Sequence, residues 1–171
     1  MQFVYLDISG NLKLTVLEMK ILEIFFEVDE ENYLGFYGYD IFQSEALEIT
    51  FYDILKNNLL AGEKASESFG PFKIAQLTEN DFDKIDFTIL NRLLHKYYQD
   101  ENWGADLEIF KSNTLKAFNH LKIEKNEIYY INLEKVKDEL KPGNNFWTYF
   151  VGLICIDRKK QKIIKLYFGG D

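Results

Sequence analysis

One cysteine, two prolines and two histidines are all that this 171-residue chain holds of those three residue types. A lone thiol, Cys155, cannot close an internal disulfide, which points to a reducing cytoplasm. With so little proline, and ten glycines spread along the chain, no stretch has linker composition. No uncharged apolar run approaches the ~18 residues of a membrane span. The opening Met1-Gln2-Phe3-Val4-Tyr5-Leu6-Asp7 lacks the basic start and apolar run of a secretory leader. Neither His95 nor His120 has an Asp, a Cys or a second His at ligand spacing, so no metal, cofactor or catalytic residue is assigned.

What is present is a core and a lopsided charge. Hydrophobic residues make up 47% of the chain and aromatics 16%, enough for one globular domain over residues 1–171. Residues 1–110 carry 21 acids against 8 Lys and Arg, a net of −13. Residues 111–171 carry 7 against 12, a net of +5. A field of this kind attracts basic partners and disfavours nucleic acid.

Periodicity gives the elements. Residues 2–8 read as a short strand. Leu14, Leu17, Ile21, Ile24 and Phe25 follow helical spacing, so a helix is expected over Thr15 to Glu27, although a buried strand suits the same density. Tyr33 to Phe42 reads as an aromatic strand interrupted by Gly35 and Gly38. Ser44 is expected to cap a helix through Leu47, Phe51, Ile54 and Leu55, ending at Ala61-Gly62. Phe72 to Leu77 reads as a short strand. Phe82, Ile85, Ile89, Leu90, Leu93, Leu94 and Tyr97 form the clearest apolar stripe, with Thr78 as its cap. Asp86 falls on that stripe, and a break near Lys84 with Asp86 recapping the helix explains it. Ser112 begins a helix through Leu121, and Ile128 to Leu133 is a strand.

The final segment, 146–168, reads as a β-hairpin. Phe146, Phe150, Ile154 and Ile156 share one face of its first strand. Trp147, Tyr149, Val151, Leu153 and Cys155 share the other. A strand apolar on both faces belongs in a sheet covered on both sides, which makes Cys155 a buried thiol. The fold class is α+β, a mixed or antiparallel sheet whose C-terminal hairpin packs against three to four helices.

Motifs add little chemistry. Asp81, Asp83 and Asp86 resemble a calcium loop, but Asp86 stands where glycine is required and Arg92 where a bidentate Glu is required. Gly35-Phe36-Tyr37-Gly38 lacks the Lys-Ser/Thr of a phosphate loop. Arg158, Lys159, Lys160, Lys162 and Lys165 read as a solvated turn that blunts a sheet edge. The function this favours is a non-enzymatic protein-binding module whose acidic face meets a basic protein. Its candidate contacts are Glu30, Glu31, Asp81, Asp83, Asp100 and Glu101, with Tyr37 and Trp103 as aromatic anchors. Bacterial toxin-neutralising proteins share this acidic single-domain composition. A small hydrolase using carboxylates and one His, or a structural subunit, are the competing classes.

Overall fold

The computed structural model describes residues 14–21, 36–44, 49–61, 65–99, 106–141 and 149–170. Within them the chain is α+β. Six strands form one sheet: β1 (Leu14–Ile21), β2 (Phe36–Ser44), β5 (Phe82–Ile85), β6 (Glu127–Ile131), β7 (Tyr149–Asp157) and β8 (Lys162–Gly170). Their order is β1-β2-β8-β7-β6-β5, and every neighbouring pair is antiparallel. A two-residue pair, β3 (Ser68–Phe69) and β4 (Phe72–Lys73), forms a separate small hairpin. The expected hairpin is β7–β8, and it occupies the middle of the sheet.

β7 alternates between two apolar clusters, as a strand covered on both sides should. Tyr149, Val151, Leu153 and Cys155 join Ile128, Ile164, Leu166 and Phe168 under two helices. These are α2 (Phe87–Tyr98), which buries Leu90 and Leu94, and α3 (Asp106–Leu121), which buries Phe110, Ala117 and Phe118. Phe150, Ile154 and Ile156 face the other way, into a layer built from α1 (Phe51–Lys56), the β3–β4 hairpin and short 3-10 turns.

Asp86 caps α2 by accepting a 2.7 Å hydrogen bond from the Ile89 N–H, so the recapping inferred from sequence holds. Thr78 caps a different element, the 3-10 turn Glu79–Asp81, and Phe82 to Ile85 then run as β5. Other expectations are corrected. Leu14–Ile21 is a strand, not the start of a helix. Its register against β2 shifts between Val16 and Glu18, and such a bulge breaks the two-residue alternation that identifies a strand. Ser44 lies in β2, and α1 is capped by Thr50 in a reciprocal box with Asp53. That helix covers only six residues. α3 begins at Asp106, so Ser112 is a mid-helix residue. Phe72 to Leu77 contains only the two-residue β4 before a 3-10 turn. The strand expected over residues 2–8 lies outside the described residues.

Close approach of aromatic rings explains two glycines. A Cβ on Gly152 would lie 2.8 Å from the Phe69 ring and 2.9 Å from Ile131. A Cβ on Gly38 would lie 2.4 Å from the Tyr167 ring. Tyr167 is the cross-strand neighbour of both glycines. The rings of Phe69 and Tyr167 meet edge-on, 6.1 Å between centroids, so aromatic surface fills what the glycines vacate.

Candidate functional site

Of the sequence-derived contacts, only Asp81 and Asp83 have side chains among the described residues. Glu30, Glu31, Asp100, Glu101 and Trp103 lie outside the described residues. Tyr37 is on β2 opposite Phe168, and its side chain is likewise outside them. Asp81 is only 5% exposed. Its carboxylate accepts from the Thr78 N–H at 2.7 Å and the Thr78 hydroxyl at 2.9 Å, which holds the turn before β5. Asp83 accepts from Asn132 Nδ2 at 2.7 Å and pairs with Lys135. Those donors, the Lys135 ammonium first, hold its carboxyl below the usual range. Asn132 also donates its backbone N–H to the Asp81 carbonyl at 2.8 Å. Both aspartates are therefore engaged in joining β5 to the segment after β6.

Buried ionisable groups sit on the irregular face. Lys165 on β8 is fully buried and lies 2.5 Å from the Asp40 carboxylate on β2, its cross-strand neighbour. Its ammonium also donates to the Ser66 carbonyl and, at 3.4 Å, to the Leu60 carbonyl. Burial pushes the Asp40 carboxyl up and the Lys165 amine down, while each charge opposes the shift of the other. Lys165 thus leaves the basic turn to which its sequence neighbours assign it. Cys155 is buried as expected, and burial alone raises its thiol pKa, which makes it inert. His95 is exposed on α2. His120 is exposed near the end of α3, with its ring edge-on to Tyr39 at 6.5 Å.

A concave feature rich in cations lies where the end of α3 meets the β7–β8 turn. One hollow of about 220 Å³ is floored by Ile41, Leu121 and Ile164 and walled by His120, Lys122, Asn126, Asp157, Lys160 and Lys162. A second, about 330 Å³, shares Lys122, Asp157 and Lys160 with it and adds Lys125, Glu127, Arg158 and Lys159. Two backbone devices build this end of the molecule. Lys122 takes the left-handed conformation at φ 56°, where a helix terminus usually has glycine. Gln161 does so at φ 53° in the turn, which lets Ser44 donate its N–H to the Gln161 carbonyl at 2.8 Å.

Both carboxylates of the cleft are already bound. Asp157 accepts from the Lys160 N–H at 3.1 Å and lies 4.0 Å from the same residue's ammonium. Glu127 accepts from Arg158 Nε at 2.9 Å and Lys84 Nζ at 3.1 Å. The Arg158 guanidinium and then these other donors, against some desolvation, pull its carboxyl down to about 2. Arg158 also donates to the Ile49 carbonyl, so it ties the turn to the strand end and to the segment before α1. Sequence reasoning saw the Arg158–Lys162 run but not Lys122 and Lys125 beside it. Only the antiparallel return of the hairpin to the end of α3 joins them.

Among the described residues, no three His, Cys, Asp or Glu side chains are placed to hold a metal ion. No described helix is long and apolar enough to cross a membrane. No family model matches the chain, and no curated protein matches its sequence. Two crystal structures of citrus MAF1 resemble this chain loosely. One is 12% identical with a TM-score of 0.39, covering 79% of this chain and 86% of that one. The other is 10% identical with a TM-score of 0.36, covering 79% and 89%. A likeness this loose carries no functional inference.

Proposed function

We propose that this chain is a non-enzymatic protein-binding module that meets a basic partner through its acidic surface. The concrete version is a toxin-neutralising protein for a cationic nuclease. The observation that supports this reading is the net of −13 over residues 1–110. Six of the 20 Lys and Arg, Lys122, Lys125, Arg158, Lys159, Lys160 and Lys162, share one cleft, which leaves the rest of the chain more acidic still. With Asp81 and Asp83 used inside the fold, recognition would rest on Glu30, Glu31, Asp100 and Glu101, with Tyr37 and Trp103 as anchors.

The test begins with capture of the partner from the native cell. Association should then slow as salt rises, because the Debye length shrinks to about 8 Å at physiological ionic strength. Reversing the charge of Glu30, Glu31, Asp100 and Glu101 together should slow association far more than dissociation. Association insensitive to both would end this reading. The hydrolase alternative draws on one observation, that His120 and Asp157 line the same hollow. Asp157 is already committed to Lys160, so the binding reading is preferred.

A further inference from the structure

We infer that the cleft between the end of α3 and the β7–β8 turn is a binding site for a short oligophosphate, free or carried on a small molecule. This site shares no residue with the proposed acidic contacts, and its failure would leave the basic-partner reading standing.

The argument starts from charge that has no internal answer. The joined hollows gather Lys122, Lys125, Arg158, Lys159, Lys160 and Lys162 in a protein whose net charge is −8. Asp157 and Glu127 are occupied by Lys160, Arg158 and Lys84. Lys122, Lys125, Lys159 and Lys162 therefore have no carboxylate partner among the described residues. Like charges held in one concavity repel one another, and a multivalent anion relieves that repulsion. Ammonium groups suit phosphate as point charges with three donors each.

A second observation concerns a neutral donor. Asn126 lines the first hollow, and its Nδ2 is buried without a hydrogen-bond partner. A buried N–H left unmade is costly, and a small side-chain shift that turned it into the hollow would let a phosphate oxygen satisfy it. The backbone gives a third. Lys122 puts a cation where glycine would be relaxed, so a charged side chain stands at a strained backbone position lining the cleft.

Size and surroundings select the ligand class. About 220 Å³ and 330 Å³ hold a few phosphate groups rather than a strand of nucleic acid. Among the described residues no Phe, Tyr or Trp ring lines either hollow to stack a base, and the His120 imidazole of the first packs edge-on to Tyr39. The acidic remainder of the chain repels a long polyanion, whereas a compact ligand is screened from it.

Calorimetric titration of the full chain with tripolyphosphate tests this. Saturable one-to-one binding is expected, at least tenfold tighter than orthophosphate and weakening with salt. Lys122→Gly suits the left-handed backbone, and Lys162→Gln is a second, independent variant. Each should weaken binding about tenfold with an unchanged or higher melting temperature, while Lys137→Gln, outside the cleft, should leave affinity as it is. The inference is overturned if tripolyphosphate does not saturate or if neither cleft variant weakens it. It is equally overturned if a single-stranded oligonucleotide or a polyglutamate peptide of matched charge binds as tightly.

Discussion

The two faces of the central sheet are closed by different physics. On one, α2 and α3 lay regular apolar stripes over Leu153, Cys155, Leu166 and Phe168, with no charge in the cluster. On the other, a six-residue helix, two-residue strands and 3-10 turns cover the sheet, and they enclose the Asp40–Lys165 pair. Regular helices bring their own backbone hydrogen bonds, so that face has fewer main-chain groups to satisfy, although α3 also buries the polar Asn113 and Thr114. The irregular layer leaves carbonyls such as Leu60 and Ser66 to be satisfied from below, and the Lys165 ammonium does so. Aromatic rings supply the rest. Phe51 stacks on Tyr129 with centroids 3.9 Å apart, and Phe69 meets Phe150 edge-on at 6.3 Å. Ring pairs occur on both faces, as between Phe118 and Phe168 under the helices, so the buried ion pair is what sets the irregular face apart.

The comparison breaks most visibly at Lys165. Lys165→Met should cost about 3–5 kcal/mol in chemical denaturation, because it leaves Asp40 buried without its partner. Adding Asp40→Leu should recover most of that loss, since a well-packed apolar pair replaces a buried ion pair at little cost. A single variant that loses under about 1 kcal/mol would mean that the pair does not hold the layer. Gly152→Ala comes next. Its new methyl meets the Phe69 ring, so a loss of about 1–3 kcal/mol is expected, measured by the same denaturation.

Acid should separate the faces more gently. Glu127 in the folded chain titrates at about 2, below the ~4.3 of a free glutamate. Its folded value is depressed, so its contribution is complete above the free value and is lost as pH falls toward about 2. Arg158 links Glu127 to the segment before α1. Amide exchange at residues 49–60 should therefore accelerate before exchange in α2 and α3 does, and Glu127→Gln should abolish that difference in pH response. The smallest effect is on the helical face. Cys155 should stay unlabelled by an aqueous thiol reagent across the same acid range, after return to a common labelling pH. Rapid labelling would show that both faces open together.

The same contrast explains which parts were legible in sequence. The α2 stripe and its Asp86 recap could be read because their signals lie within a few residues. The two-faced β7 could be read because its burial is written in an unbroken apolar run. β1 was hidden by its bulge, and the irregular layer by the shortness of its elements, whose partners are remote in sequence. Lys165 reads as one more cation after Lys159, Lys160 and Lys162, since nothing local reveals that Asp40 is its neighbour. Of the candidate contacts, Asp81 and Asp83 carried a charge signal identical to that of a free acid. Only the fold reveals their duties to Thr78, Asn132 and Lys135. The cleft was half legible, through its turn but not through the end of α3.

Strand order also bears on synthesis. β2 sits between β1 and β8, and Gln43 donates to the Lys160 carbonyl across 117 positions of chain. At ribosomal rates of ~5–20 residues per second, β2 would wait on the order of 6–20 s for its inner neighbour to be made. During that interval the segment carrying Phe36, Phe42 and the yet unpaired Asp40 presents an open edge to the crowded cell. Nascent chains of this protein should therefore depend on holding chaperones until β8 has left the exit tunnel.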